Sequence, residues 1–393
     1  MAQAAARPRP PLWRDIRILR VVGQIIVVAV VVIVLRELFL NAEFHLSRRG
    51  GDLSYDFLGR RAGFAIKEHV FPYTSNSSFL RSFVVAATNS MFVAAIGIVL
   101  TTILGIFIGI ARLSPNWLIR KIAQAYVEAF RNTPLLVQVI FWYSAVILTI
   151  PRIQDSLSLF DVAFVSNRGA AVPAVEGGSD LGVWLLFVLA GIVGAVVVRR
   201  YRMSLHDKTG QPHYRFLFGT VTFLVIAGVG YLILGDPFTI DVPEQRIRNY
   251  VGGLQMSAEF AGILVALIIY TAAFIGEIVR GSILAVSKGQ KEAAEAIGLR
   301  PGQQLRLVVL PQAMRIAIPP INNQYLNLWK NTSLAFAIGF PDLINISTTM
   351  INQGASELQM FSLVAATYLG VSLLISFVMN IVNRAVALRG ARL

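Results

Sequence analysis

Eight runs of mostly apolar residues divide this chain, each near the roughly 20 residues a helix needs to cross a bilayer. The first runs from Ile18 to Leu40, interrupted by Gln24 and Arg36, and the second from Val84 to Ala111. The third runs from about Asn132 to Ile150. The fourth, Leu181 to Val198, and the fifth, Phe216 to Gly235, carry no charge. The sixth covers Ala258 to about Ile283, the seventh lies between Ile316 and Ile344, and the eighth between Phe361 and Val382. The pattern predicts an all-α integral membrane protein of about eight transmembrane helices. Asp155 to Asp180 and Asp236 to Met256 read as ordered connecting loops, with turn chemistry at Val172-Pro173 and Gly177-Gly178.

The polar positions orient these spans. Arg7, Arg9, Arg14, Arg17 and Arg20 precede the first span; Arg112, Arg120 and Lys121 follow the second; Arg199, Arg200, Arg202, Lys208 and Arg215 follow the fourth. Lys288, Lys291, Arg300, Arg306 and Arg315 follow the sixth, and Arg384, Arg389 and Arg392 follow the eighth. An even number of spans puts all five segments on one side, so both termini are expected in the cytoplasm of a bacterial inner membrane. The loops near Arg152 and Arg168, and near Arg246 and Arg248, are poorer in bases. One segment breaks the rule: Asn41 to Arg81 carries Arg48, Arg49, Arg60, Arg61, Lys67 and Arg81 on the expected outside, partly offset by Glu43, Asp52, Asp56 and Glu68.

Composition agrees with a chain solvated by lipid. Hydrophobic residues are 55% and charged residues 14%, where soluble domains carry about 25% charge, and mean hydropathy is +0.65. The formal net charge of +14 follows from basic loops on one side and does not call for nucleic acid. The absence of cysteine removes disulfides and thiol metal sites. The first run is too long for a signal h-region and lacks a small-x-small cleavage site after it, so it is expected to remain as an anchor. The Pro- and Arg-rich first dozen residues are expected to be disordered.

Four polar interruptions carry the candidate chemistry. Glu292-Ala293-Ala294-Glu295-Ala296-Ile297-Gly298, then a basic run, then Val308-Val309-Leu310-Pro311, is too polar to sit in lipid. Ser287 with Gln290 fits a capping box, Gly298 can end the helix, and Pro301 and Pro311 suit helix starts. Two short helices on the membrane surface follow. The three alanines keep the first slim, so it is either a docking element for a partner groove or a plain solvated connector. Phe130-Arg131-Asn132-Thr133-Pro134-Leu135-Leu136-Val137-Gln138 reads as a capped membrane-helix start with a polar Gln138. In Tyr270 to Gly281, Glu277 and Arg280 can pair at i, i+3 as a structural ion pair or beside a wet path. Pro319-Pro320-Ile321-Asn322-Asn323-Gln324-Tyr325 and Lys330-Asn331-Thr332-Ser333-Leu334 put amides and hydroxyls inside a span. They serve as interhelical glue or as a hydrophilic lining suited to a zwitterion. Lys330 would draw a carboxylate or pair with Glu277. No Gly-x-x-x-x-Gly-Lys-Ser/Thr loop exists, nor any hydrolase or zincin motif; the four histidines, His45, His69, His206 and His213, are scattered in loops. An enzymatic activity therefore has no support in the motifs.

The Glu292 to Pro311 spacing resembles the EAA loop of permease subunits of ATP-binding-cassette (ABC) importers. Arg131 to Gln138, Tyr270 to Gly281 and Lys330 to Leu334 resemble segments of the polar amino-acid members of that family. The resemblance covers the second and third spans and everything from about Ala258 onward. It implies a type I five-helix core to which the first span and the Leu181 to Gly235 hairpin are additions. This extended form is similar to the larger permease subunit of general L-amino-acid importers of the glutamate/glutamine/aspartate/asparagine type. On that basis the chain divides into 1–83 (N-terminus, first helix and outer segment), 84–150 (first part of the core), 151–257 (inserted loops and hairpin) and 258–393 (second part of the core, with coupling loop 287–311).

The resemblance implies a second homologous permease subunit, two copies of an ABC ATPase docked on the coupling loops, and a periplasmic amino-acid-binding protein. It places ATP and Mg on the ATPase and no cofactor in this chain. Glu292, Ala293, Ala294, Gly298, Arg300, Leu310 and Pro311 would form the coupling site. Asn132, Gln138, Tyr143, Glu277, Asn322, Asn323, Gln324, Lys330, Thr332 and Ser333 are the translocation-path candidates. The rival class, an ion-gradient-driven secondary transporter or channel, would show inverted repeats and matched broken helices; the sequence shows no such internal symmetry.

Overall fold

The computed structural model describes residues 16–48, 54–210, 213–247 and 249–386. The basic residues Arg7, Arg9, Arg14, Arg49, Arg248, Arg389 and Arg392, and the expected disorder of the first dozen residues, lie outside these. Among the described residues, six helices are long and apolar enough to cross a membrane, and two bent helix pairs pass the same test as pairs. The expectation of about eight spans and a mostly helical membrane protein holds.

Helix α1 (Ile16–Arg48) exposes its described apolar side chains along its whole length. Residues 54–78 then fold as a compact lid: Ala62 N–H donates to Ser77 C=O (2.8 Å) and Tyr73 Oη donates to Phe64 C=O (2.8 Å). Three of the bases in this segment that offend the charge rule have local work. Arg81 donates to Pro72 C=O at 3.2 and 2.9 Å, Arg61 Nε to Ser75 C=O at 3.4 Å, and Lys67 Nζ stands 3.6 Å from Glu259.

Helix α2 (Phe79–Ala111) starts at Ser78, whose side chain accepts from Arg81 N–H. Its small residues at fourfold spacing, Gly97, Thr101, Gly105 and Gly109, are on or beside its buried face and let α7 come close. A Cβ at Gly105 would stand 2.6 Å from Ile275 Cγ2, and one at Gly276 of α7 would stand 2.9 Å from Ile108 Cγ2. Thr101 Oγ1 completes the seam by donating to Ile268 C=O at 3.2 Å.

The third predicted span, from about Asn132, begins at a sharp corner. An amphipathic helix α3 (Trp117–Asn132), capped by Asn116, meets α4 (Leu135–Phe141) and the turns that follow it at an angle of 105°. Pro134 supplies no N–H and biases Thr133 to extended backbone. Gln138 stitches the corner by donating to Phe130 C=O (2.9 Å) and Thr133 C=O (3.0 Å). Beyond α4 the helix widens into a π-turn at Trp142–Val146, where Tyr143 packs on Gly262.

The loops between spans contain strands that the hydropathy pattern does not predict. Strands β1 (Leu157–Leu159), β2 (Ala163–Ser166), β3 (Gly169–Val172) and β8 (Leu254–Ser257) form an antiparallel sheet in that order. β4 (Ala174–Gly177) pairs with β5 (Phe238–Asp241), and β6 (Glu244–Gln245) with β7 (Tyr250–Val251). Apolar runs this short, Ala163–Val165 among them, carry too little periodicity to be told from loop. Between β4 and β5 rises the hairpin α5 (Leu181–Thr209) and α6 (Arg215–Leu234), which pack chiefly on each other through Gly191, Gly194 and Gly230.

Helix α7 (Ala258–Leu284) carries the core. Phe260, Ile263, Leu267 and Ile275 are among its fully buried side chains. The chain then makes α8 (Lys288–Ala296), α9 (Pro301–Gln304), a π-turn at Leu305–Val309 and α10 (Leu310–Asn331). α10 ends in a 3-10 segment, Thr332–Ile338, followed by α11 (Leu343–Asn352) at a 52° bend and α12 (Glu357–Val386). Asp342 caps α11 by accepting from Ile344 and Asn345 N–H. The lid residues Phe57, Ile66 and Tyr73 share a buried cluster with Leu343, Met350 and Met360. The lid, the strands and the ends of the spans beside them define one end of the molecule, the sheet end. α8 marks the other, the elbow end.

Candidate functional site

At the elbow end, Gly298 takes φ +78°. Leu299 N–H donates to Ala294 C=O (3.1 Å) and Gly298 N–H to Glu295 C=O (2.8 Å). This pair of bonds is the Schellman stop of α8, and no atom lies within 4 Å of where a Cβ would be. The glycine is therefore required by backbone conformation and not by crowding. The expected capping box at the other end does not form. The Ser287 side chain makes no cap bond, and Gln290 uses its Oε1 to accept from Gln312 Nε2 (3.1 Å). That bond ties α8 to α10. Ala294 is 3% exposed, while Glu292, Ala293 and Glu295 face solvent. Beneath them, Val286, Val309 and Ala313 make a small buried cluster. Arg300 is exposed, and its N–H donates to Gln303 Oε1 at 2.9 Å. The second surface helix is not separate: α9 runs through the π-turn into α10, so Leu310 and Pro311 lie inside one continuous rod.

Glu277 lies two turns before the end of α7. It pairs with Arg280, Nη2 at 2.5 Å and Nε at 3.1 and 3.2 Å. It also pairs with Arg112, at the end of α2. Sequence reasoning anticipates Arg280 by its i, i+3 spacing. It misses Arg112, since only the docking of α2 on α7 brings residues 165 apart in sequence together. Lys330 is not a partner of Glu277; it is exposed near the end of α10, where Ser333 Oγ donates to its C=O.

The amide run of α10 follows Pro319-Pro320. Asn322 and Asn323, with Ser376, Asn380 and Asn383 of α12, line a cavity of about 310 Å³. Asn322 Oδ1 is buried there with no hydrogen-bond partner among the described residues. Gln324 is half-buried. Thr332 is buried and donates to Trp329 C=O at 2.8 Å. Asn132 is exposed at the end of α3, next to the corner that Gln138 stitches. At the sheet end, Tyr143 Oη donates to Glu259 at 3.5 Å. Glu259 and Glu68 border a larger cavity of about 510 Å³ that Lys67, Arg168 and His69 also line. Neighbouring Ser257 Oγ donates to Glu68. Burial holds the Glu68 carboxyl above its ordinary 4.5, and nearby Glu259 adds to the effect. These groups come from segments far apart in sequence and are not anticipated by any motif.

Residues 101–389 match the family described as "Binding-protein-dependent transport system inner membrane component". The chain is 40% identical over 366 residues to "Putative amino-acid ABC transporter permease protein YhdX" of Escherichia coli K12, covering 93% of each. It is 40% identical over 349 residues to "General L-amino acid transport system permease protein AapQ" of Rhizobium johnstonii, covering 88% of this chain and 87% of that one. To "Glutamate/glutamine/aspartate/asparagine transport system permease protein BztB" of Rhodobacter capsulatus it is 35% identical over 407 residues, covering 95% of each. The chain belongs to the inner-membrane component family of binding-protein-dependent transport systems, among the amino-acid ABC transporter permeases.

Proposed function

We propose that this chain translocates polar L-amino acids across the bacterial inner membrane, with the elbow end and both termini in the cytoplasm and the sheet end in the periplasm. Membership of the family carries association with an ATPase and a substrate-binding protein. The finer assembly is a second homologous permease, two ATPase copies binding ATP and Mg, and a periplasmic amino-acid-binding protein above the sheet end. The observation that carries the reading is the elbow. Its exposed Glu292 and Ala293 stand on a short helix whose stop is fixed by Gly298 and whose flank is bonded to α10.

A push on α8 reaches the Val286–Val309–Ala313 cluster and the Gln290–Gln312 bond, both of which grip the rod from α9 to α10. The rod passes it to α12, since Arg315 Nε donates to Val386 C=O at 3.2 Å. Tilting α10 against α12 would reshape the amide-lined cavity between them. We assign Asn322 and Asn323 to the path, because the orphan Asn322 Oδ1 offers an acceptor for an ammonium group.

The test is uptake in vesicles holding the complete transporter. A side chain at the left-handed position of Gly298 costs about 1–2 kcal/mol locally. Gly298→Val and Glu292→Lys should each lower ATP-driven uptake at least tenfold while membrane insertion and ATPase activity persist. Normal uptake by both variants would defeat the assignment.

A further inference from the structure

We propose that the elbow end of the α5–α6 hairpin is a binding site for the headgroup of an anionic phospholipid. The apolar faces of the hairpin stop abruptly. Leu181 to Val198 carries no charge, and then Arg199, Arg200, Arg202 and Lys208 follow within 10 residues, joined by Arg215 at the start of α6. Asp207 is the one acid between Arg199 and Arg215. α5 continues past the start of α6, so its last turns and residues 213–217 form a corner. That corner holds a cavity of about 510 Å³ lined by Arg202, His206, His213, Tyr214, Arg215 and Phe216.

Three features fit this corner to a phosphodiester. The guanidinium groups are held in place on aromatic faces: Arg202 lies 3.5 Å from the Phe218 ring centre, Arg199 4.5 Å and Arg215 5.4 Å from that of Phe216. Stacking leaves the edge of each guanidinium fork available to oxygen ligands. The Tyr214 side chain makes no cap bond to the first turn of α6, and the positive end of that helix favours an anion at the same place. Exposed Leu217, on the cavity wall, with exposed Val221 and Leu224 beyond it, continues the corner into an apolar face. Acyl chains would lie there, and exposed Tyr201 and Tyr214 are residue types that settle at headgroup level. A soluble phosphate would use the cations and leave that face unused; a lipid uses both. Basic pockets at the cytoplasmic ends of membrane helices attract acidic lipids by the same electrostatics.

Native mass spectrometry of the purified complex, titrated with phosphatidylglycerol or phosphatidylcholine, tests this independently of transport. Wild type should retain phosphatidylglycerol at least tenfold more than phosphatidylcholine. Arg202→Gln with Arg215→Gln, which keeps much of the stem packing on the rings, should remove most of that preference. Lys121→Ala, a charge removed from the same end of the molecule, should leave it unchanged. Millimolar inorganic phosphate should not displace the lipid. Equal retention of the two lipids, an unchanged preference in the glutamine pair, an equal loss in Lys121→Ala, or displacement by phosphate would each overturn the proposal.

Discussion

Single residues in this protein matter most where polar groups meet low dielectric. Glu277 satisfies two guanidinium groups, and removing it would leave Arg112 and Arg280 facing each other. That is the costly way to break a partly buried ionic cluster. Glu68 is the opposite case, a carboxyl that burial disfavours when charged. Below pH 4.5 it is neutral in folded and unfolded chains alike and costs nothing. As pH rises from 4.5 through its raised folded value, the fold still holds a proton that the unfolded chain has lost, so stability falls. Glu68→Gln keeps an acceptor for Ser257 and removes this penalty. Thermal unfolding of the purified chain should show the variant more stable than wild type at pH 7 and equal to it at pH 4. An equal difference at both pH values would assign the effect to packing. At this scale the sequence was legible where one helix holds both partners, as with Glu277 and Arg280. It was silent where tertiary contact pairs them, as with Arg112, or where an amide serves its own backbone, as with Gln138.

At the scale of elements, the α2–α7 seam depends on missing side chains. Gly105 and Gly97 lie eight residues apart on α2, yet they differ in tolerance. A Cβ at Gly105 meets Ile275 Cγ2 of α7 at 2.6 Å and Cβ at 2.7 Å, whereas one at Gly97 meets first Leu328 of α10 at 3.4 Å, an ordinary contact. Gly105→Val should destabilise by about 1–3 kcal/mol through overpacking. Gly97→Ala should be neutral or slightly stabilising, since alanine loses less entropy in a helix. Melting temperatures of the two purified variants decide it; equal losses would mean that the close approach of Ile275 is not what makes Gly105 intolerant. The apolar runs within α5 and α6, Leu181 to Val198 and Phe216 to Leu234, were legible from composition because lipid needs nothing else of them. The helix start at Thr133-Pro134 was legible too, but the amphipathic α3 before it was not, because it fails a hydropathy window. The strands were hidden for a related reason: two- to four-residue pairings are fixed by partners up to 88 residues away, as in Gly169 with Ser257.

For the molecule as a whole, the question is which parts must move together. The elbow is joined to α10 by the Gln290–Gln312 bond and the Val286–Val309–Ala313 cluster, and α10 to α12 by the Arg315–Val386 bond. The hairpin is instead connected through the β4–β5 ladder, whose last register pair is Gly177 with Phe238. Because these two strand ends already lie opposite each other, a two-residue Asn-Gly turn can replace residues 178–237 without moving either strand. The α5–α6 interior is self-contained: Trp184 Nε1 donates to Ala227 C=O within it, and Gly230 receives Phe187. Excision should therefore leave no large cavity in the core, and the melting temperature of the shortened chain should stay within a few degrees of wild type. Vesicles holding the shortened chain with its partners should keep most of their uptake, while the preference for anionic lipid is lost. Failure of the shortened chain to insert or assemble would make the hairpin part of the permease body. Retained assembly with lost uptake would place it in the transport cycle, beyond lipid anchoring.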